Sequence, residues 1–154
     1  MISKKENIAQ YILSLWQVER YVRAFPQEAE KSKELQEILQ MMHTEGIMEK
    51  GHLQIVNNAI QQVEEIHNEL LQENATYRAK FMQLNPSLTL FKSKTMEPTI
   101  SDIQACFVLL DDICLLALKK QAISPETLAV KEQVTELLKF ISKTFRDEQV
   151  TDEM

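Results

Sequence analysis

The sequence has 154 residues, a length typical of one domain, and we expect residues 1–154 to form a single helical bundle domain. Its net charge of −6 argues against a nucleic-acid binder, which needs a basic surface to displace counterions from phosphate groups. Only two glycines and four prolines occur, and this scarcity of helix breakers leaves room for long helices.

The first two predicted helices are separated by a proline. Apolar residues recur every three or four positions over residues 4–25, a spacing that predicts an amphipathic helix. Pro26 is expected to end this helix because the residue before a proline is pushed out of the α region. A second helix is predicted over residues 27–44, and Gly46 is placed to close it in the left-handed conformation.

The third predicted helix is the longest and covers residues 48–84. At about 55 Å it is long for a compact domain, so it is expected either to kink or to project partly into a partner. Its apolar positions alternate at steps of three and four over about four heptads, which is typical of helices that pack at shallow crossing angles. The following segment, residues 85–98, contains Pro86 and Pro98. This segment is predicted to form either a short extra helix or an irregular loop.

A fourth helix is predicted over residues 99–121 and is unusually apolar. From residue 105 to residue 118 only Asp111 and Asp112 are not apolar. We expect these two carboxylates to form a more solvent-accessible strip on a mostly buried helix. Such a helix is either buried on nearly all sides or half-buried in an oligomer interface. The apolar run is too short and too charged to span a membrane.

The fifth helix has a clear start and an indistinct end. Ser124 is its predicted N-cap and Pro125 its first residue, and its apolar stripe fades near Asp147, so residues 147–154 are expected to fray. No segment alternates between apolar and polar residues with a period of two, so no sheet is predicted. The predicted fold class is all-α: a four- to five-helix bundle, mostly antiparallel, with the first, third, fourth and fifth helices as its core.

Glu19 is the most unusual position because its carboxylate interrupts the apolar face of the first helix, where an unpaired charge is costly. Arg23 follows four residues later and is expected to pair with it, which gives a semi-buried structural ion pair. The alternative is a polar pocket that binds a small charged ligand. Trp16 would lie at the edge of that pocket, Arg78 would form another wall, and His67 is a further candidate.

Two Glu-x-x-His sequences, from Glu49 to His52 and from Glu64 to His67, match the ligand motif of di-iron bundles. On one predicted helix the two histidines would lie about 22 Å apart, which is too far for a shared metal site. We therefore predict no metal and no other cofactor, and an intersubunit metal site is the weaker alternative. His67 is expected to be a hydrogen-bonded residue of the core or seam.

Cys106 and Cys114 lie eight residues apart on one predicted helix, about 12 Å along its axis, so they cannot form a disulfide. Free thiols and the lack of an apolar signal segment at the N-terminus indicate the cytoplasm. Neither thiol has a neighbouring base, and no catalytic residue is predicted.

Because no set of catalytic groups converges, we expect a non-enzymatic protein that acts through protein–protein interaction or homo-oligomerisation. The alternatives are a small-ligand-binding bundle or enzyme with a polar pocket near Glu19, and a metalloprotein that uses the Glu-x-x-His sequences.

Three stretches of the sequence carry a family resemblance. The first is KENIAQYIL at residues 5–13 followed by WQVE at 16–19; the second is EG at 45–46 followed by GHL at 51–53; the third is DIQACF at 102–107 followed by LKKQAISPET at 118–127. In this order they resemble an uncharacterised bacterial family of helical proteins, a domain of unknown function. The resemblance implies a small cytoplasmic helical protein and brings no activity, cofactor or catalytic residue.

Overall fold

The structure is a computed structural model that describes residues 2–95, 97 and 99–153, with side chains described up to residue 150. Over these residues the chain forms seven helices and no strand, which confirms the all-α class and corrects the predicted count of four to five. The predicted mostly antiparallel arrangement and the single domain stay predictions. The helices are α1 (Ile8–Ala24), α2 (Pro26–Ala29), α3 (Lys33–Glu45), α4 (Gln54–Glu73), α5 (Ala75–Ser93), α6 (Asp102–Leu118) and α7 (Pro125–Glu153).

Helix α1 begins later than residue 4 because Asn7 caps it. The Asn7 side chain accepts a hydrogen bond of 3.0 Å from the backbone N–H of Gln10, one of the donors that a helix start leaves unpaired. At the other end Phe25 leaves the helical conformation directly before Pro26, as predicted. The end set by proline is therefore a local property of the sequence.

The second predicted helix is two helices, α2 and α3. Ser32 has an extended backbone and stands directly before α3, and its side chain makes no capping hydrogen bond. The predicted C-cap is confirmed, because Gly46 has a φ of 71° and its N–H bonds to the carbonyls of Met42 and His43. A left-handed residue at this place satisfies carbonyls that the last turn leaves free.

The helix predicted over residues 48–84 has the wrong bounds, and in place of the kink expected for so long a helix the chain leaves the helical conformation at Asn74. Residues 46–53 form a loop in which Gly51 has a φ of 97°, and α4 begins only at Gln54. Asn74 then takes an extended conformation, and its side chain accepts a hydrogen bond of 2.9 Å from the N–H of Tyr77. Asn74 therefore ends α4 and caps α5, a role for which asparagine is among the preferred residues.

Helix α5 also continues through Pro86 to Ser93, so the predicted irregular loop is wrong over residues 85–93, and the predicted helix is present as the continuation of α5 and not as a separate helix. A proline removes one hydrogen bond, here to the carbonyl of Met82, which lies on an exposed turn that water can reach. Leu84 and Leu88 on either side are fully buried, and their packing holds the helix together across the proline. Pro98, at the end of the same predicted segment, lies outside the described residues.

The last two helices begin at capping serines, of which only Ser124 is a predicted cap; α6 begins and ends within the predicted range of residues 99–121. Ser101 and Gln104 form a reciprocal capping box that starts α6, and Ser124 accepts a hydrogen bond from Thr127 at the start of α7. Helix α7 continues to Glu153 instead of fading near residue 147, since no helix breaker interrupts it. Met154, within the segment expected to fray, lies outside the described residues.

The core lies between α1, α4, α5, α6 and α7, and α4 packs against each of the other four. These helices contain the four that the periodicity predicts as the core. Helix α6 is buried mainly in its first half, while its last residue, Leu118, is 70% exposed. None of the described helices combines the length and the apolar character that a membrane crossing requires. The largest fully buried side chains are Tyr77, Phe107, Ile8, Ile12, Met42, Leu53, Leu84, Leu88, Ile103, Leu137, Ile141 and Glu19.

Candidate functional site

The carboxylate of Glu19 is fully buried, and its partners come from the loop before α4. One oxygen lies 2.7 Å from Nδ1 of His52, and the other accepts a 2.7 Å hydrogen bond from the backbone N–H of Leu53. The start of a helix favours a negative charge, because the unpaired N–H groups of the first turn point towards it. Glu19 therefore binds the start of α4 to α1.

Trp16 supports the contact between Glu19 and His52 by packing against one face of the histidine ring. The rings of Trp16 and His52 are stacked, with centroids 4.4 Å apart and planes at 13°. The indole N–H is buried, and no hydrogen-bond acceptor among the described residues reaches it. Trp16 thus provides an apolar surface that holds the ring of His52 in position.

The predicted ion pair between Glu19 and Arg23 is wrong. The Arg23 guanidinium donates hydrogen bonds of 3.1 and 3.0 Å to the carbonyl of Ile47 and a further bond to the carbonyl of Gly51. These loop carbonyls have no N–H partner within a helix, so they compete successfully with the Glu19 carboxylate for the five N–H donors of the guanidinium. Trp16, Glu19 and Arg23 are therefore brought together, and together they fasten residues 46–53 to α1.

Arg78 is not part of this cluster. Its guanidinium donates hydrogen bonds of 2.7 and 2.9 Å to the carbonyls of Leu71 and Gln72, the last turn of α4. Glu19 contacts the opposite end of this helix of 20 residues, which is about 30 Å long. Arg78 satisfies carbonyls at the break between α4 and α5 and does not form a wall near Glu19.

His67 is also separate from Glu19, about 21 Å along α4 from Leu53. It is 5% exposed, and Nδ1 forms a hydrogen bond with the hydroxyl of Tyr77, which confirms that His67 is a hydrogen-bonded core residue. The ring meets Phe81 edge-on, with centroids 4.9 Å apart. Burial lowers the pKa of His67, although the charge of Asp102 acts in the opposite direction.

A small cavity of about 300 Å³ lies beside His67 and is absent from the sequence-based prediction. The Ser101 hydroxyl donates a 2.7 Å hydrogen bond to Glu64, and the Lys92 ammonium lies 3.1 Å from a carboxylate oxygen of Asp102. Glu64 and His67 are three residues apart on one helix face, so the second Glu-x-x-His sequence is the one signal that points here. We call this site the His67 cavity; its lining residues are Glu64, His67, Asn68, Leu71, Lys92, Ser101, Asp102 and Ile103.

An apolar groove of about 430 Å³ lies between the end of α5, the second half of α6 and the start of α7. Leu90, on its wall, is 58% exposed. Charged side chains also line it: Lys94 directly after α5, Asp112 on α6 and Glu126 on α7. We call it the α5–α6–α7 groove; its apolar residues are Leu90, Phe91, Leu109, Ile113, Leu116 and Val130.

The two Glu-x-x-His sequences do not come together. His52 is held by Glu19, whereas His67 bonds to Tyr77. Among the residues that the structure describes, no group of three or more His, Cys, Asp or Glu side chains is arranged to hold a metal ion. An intersubunit metal site stays a prediction.

Comparison with known proteins gives one match. A family model with the description "Domain of unknown function (DUF4924)" matches residues 26–152, which are most of the chain. This confirms the resemblance to a domain of unknown function, and two of the three stretches that carry it lie inside the matched range. No curated protein and no solved structure matches the chain.

Proposed function

Because the chain belongs to the family "Domain of unknown function (DUF4924)", which brings no activity with it, we propose a function from the surface of the fold. We propose that the protein is a non-enzymatic interaction protein that forms a homodimer through the α5–α6–α7 groove. We also propose that it is a bacterial protein of the cytoplasm, because both thiols are free and a reducing compartment preserves free thiols.

The observation that carries the proposal is the apolar groove itself. Contiguous apolar surface that remains open on a monomer is typical of an interaction site, whereas single exposed apolar residues are ordinary. Leu109 and Ile113 are almost fully buried at its base, while Leu90 projects from its wall. The second half of α6 is only partly buried, as expected for a helix that is half-buried in an oligomer interface.

The charges around the groove favour a second copy as its occupant. A twofold axis places the same surface on both partners, so Lys94 of one copy can face Asp112 or Glu126 of the other. Partial burial and the charge of Asp111 raise the pKa of Asp112, and Arg20 only partly opposes them. A cation from a partner would stabilise this carboxylate and so favour the complex.

We expect the protein to be a dimer in size-exclusion chromatography with light scattering. Leu90→Arg puts a charge into the apolar groove and should raise the dissociation constant at least about tenfold, or about 1.4 kcal/mol. Met82→Arg is the matched control, because Met82 is an exposed apolar residue of the same helix outside the groove. A monomeric wild-type protein at its highest soluble concentration would contradict the proposal.

A charge exchange tests the proposed orientation of the two copies. Lys94→Glu should weaken the dimer, because it brings like charges together across the interface. Adding Asp112→Lys in the same chain should restore the dimer, since each copy then presents the reversed pair. If the double variant associates no better than Lys94→Glu alone, the two copies do not pair Lys94 with Asp112.

A further inference from the structure

The His67 cavity lies where three helices meet. Helix α4 contributes Glu64 and His67, the end of α5 contributes Lys92, and the start of α6 contributes Ser101 and Asp102. Its volume of about 300 Å³ is at the lower limit for ligand sites in proteins, so only a small molecule fits. The cavity is separate from the α5–α6–α7 groove, so binding of a ligand in it does not require dimer formation.

His67 lines the cavity, and its hydrogen bond with Tyr77 determines which nitrogen of the imidazole carries the proton. Tyr77 is fully buried, and burial raises the pKa of its hydroxyl, so the hydroxyl keeps its proton and needs an acceptor. That acceptor is Nδ1 of His67, and the lowered pKa of His67 keeps the ring neutral. A neutral imidazole that accepts at Nδ1 carries its proton on Nε2, which has no hydrogen-bond partner among the described residues.

The charges of the cavity do not balance. Lys92 and Asp102 neutralise each other. Glu64 accepts a hydrogen bond from Ser101, and no cation of the described residues lies within salt-bridge distance of it. One carboxylate oxygen of Glu64 has no hydrogen-bond partner among the described residues. The cavity therefore has one negative charge without a cationic partner, beside the neutral side chains of His67 and Asn68.

From this arrangement we propose that the His67 cavity binds a small organic ammonium compound that also carries a hydroxyl or carbonyl oxygen. The ammonium group would pair with Glu64, and the oxygen would accept a hydrogen bond from Nε2 of His67. Leu71 and Ile103 would contact the short carbon chain between the two groups. A purely anionic ligand is disfavoured because Lys92 is already paired with Asp102.

The proposal can be tested with three probes of similar size by NMR titration of the full chain. Ethanolamine has both required groups, 1,2-ethanediol lacks the ammonium group, and glycolate replaces it with a carboxylate. Ethanolamine should shift the imidazole signals of His67 and the backbone amides of Ser101 and Asp102 in a saturable way. The other two probes should leave these signals unchanged. Equal responses to ethanolamine and 1,2-ethanediol, stronger binding of glycolate, or no saturable shift with ethanolamine would overturn the proposal.

A pair of neighbouring substitutions locates the charge that binds the ammonium group. Glu64→Gln keeps an acceptor for the Ser101 hydroxyl and removes the negative charge, so ethanolamine should bind at least about tenfold more weakly. Glu65→Gln makes the same change of charge at an exposed position one residue away and should bind like the wild type. Equal losses in both variants would mean that only overall charge attracts the probe, and unchanged affinity in Glu64→Gln would remove Glu64 from the site. If Glu64→Gln does not fold, the comparison of the three probes on the wild type still decides.

Discussion

Single residues of this protein act mostly by joining segments that are distant in the sequence. Glu19 contacts His52 and Leu53, which lie 33 and 34 positions later in the sequence. In place of water, its buried carboxylate has one imidazole and one backbone N–H as partners. A buried charge that is left without its partners is strongly destabilising, whereas the complete arrangement is tolerated. The same loop is held a second time by Arg23, through carbonyls on both sides of a turn.

We therefore expect Glu19→Gln to lower the free energy of unfolding by about 3 kcal/mol in urea titrations. The amide removes the negative charge, so the hydrogen bond from the N–H of Leu53 and the contact with Nδ1 of His52 are no longer charge-assisted. Glu28→Gln is the control, since Glu28 forms an exposed ion pair with Lys31 and its loss should change stability by less than about 0.5 kcal/mol. Equal stability of Glu19→Gln and the wild type would instead support a functional role for this carboxylate.

At the scale of the helices, sequence rules locate boundaries where one residue dictates the backbone. Pro26, Gly46 and Ser124 all act as predicted, because their effects need no distant partner. The break at Asn74 escapes the periodicity, since apolar residues keep their spacing across it. Pro86 misleads in the other direction, because tertiary packing on both sides outweighs one missing hydrogen bond.

The cap at Asn74 gives a direct test of that break. Asn74→Ala removes the acceptor for the N–H of Tyr77 and should cost about 1 kcal/mol of stability, measured by urea unfolding. Asn74→Asp keeps a capping oxygen and should stay within about 0.5 kcal/mol of the wild type. If the alanine variant is as stable as the aspartate variant, Asn74 does not determine where α4 ends.

The candidate sites show the same limit of prediction. Trp16, Glu19 and Arg23 are found together because they share one predicted helix, but their contacts with the loop over residues 46–53 depend on the tertiary fold. The His67 cavity is harder to predict, since Lys92 and Asp102 reach it only where the ends of α5 and α6 meet α4. A spacing of three residues can place Glu64 beside His67 but cannot supply groups from other helices.

For the whole molecule, the matched family region and the packed core differ at the N-terminus. The family match begins at residue 26, whereas α1 before it contributes Ile8, Ile12, Leu15 and Val22 to the core. Burying each such side chain contributes about 1.5–3 kcal/mol, and the total is comparable with the 5–15 kcal/mol that stabilise an ordinary domain. The helix is therefore expected to be essential for folding, although it lies outside the match.

A chain of residues 26–154 should accordingly lose cooperative thermal unfolding, followed by circular dichroism, and should expose apolar surface to a hydrophobic dye. Two full-length variants test whether the buried face of α1, and not only the presence of the helix, stabilises the fold. Ile12→Ala opens the core and should cost about 2–5 kcal/mol, whereas Tyr21→Ala, on the exposed face, should cost much less. A cooperative transition of the shortened chain near the melting temperature of the full chain would show that the remaining helices form a core without α1. In that case the contacts of Glu19 and Arg23 with the loop would serve only to dock a helix onto an already folded domain.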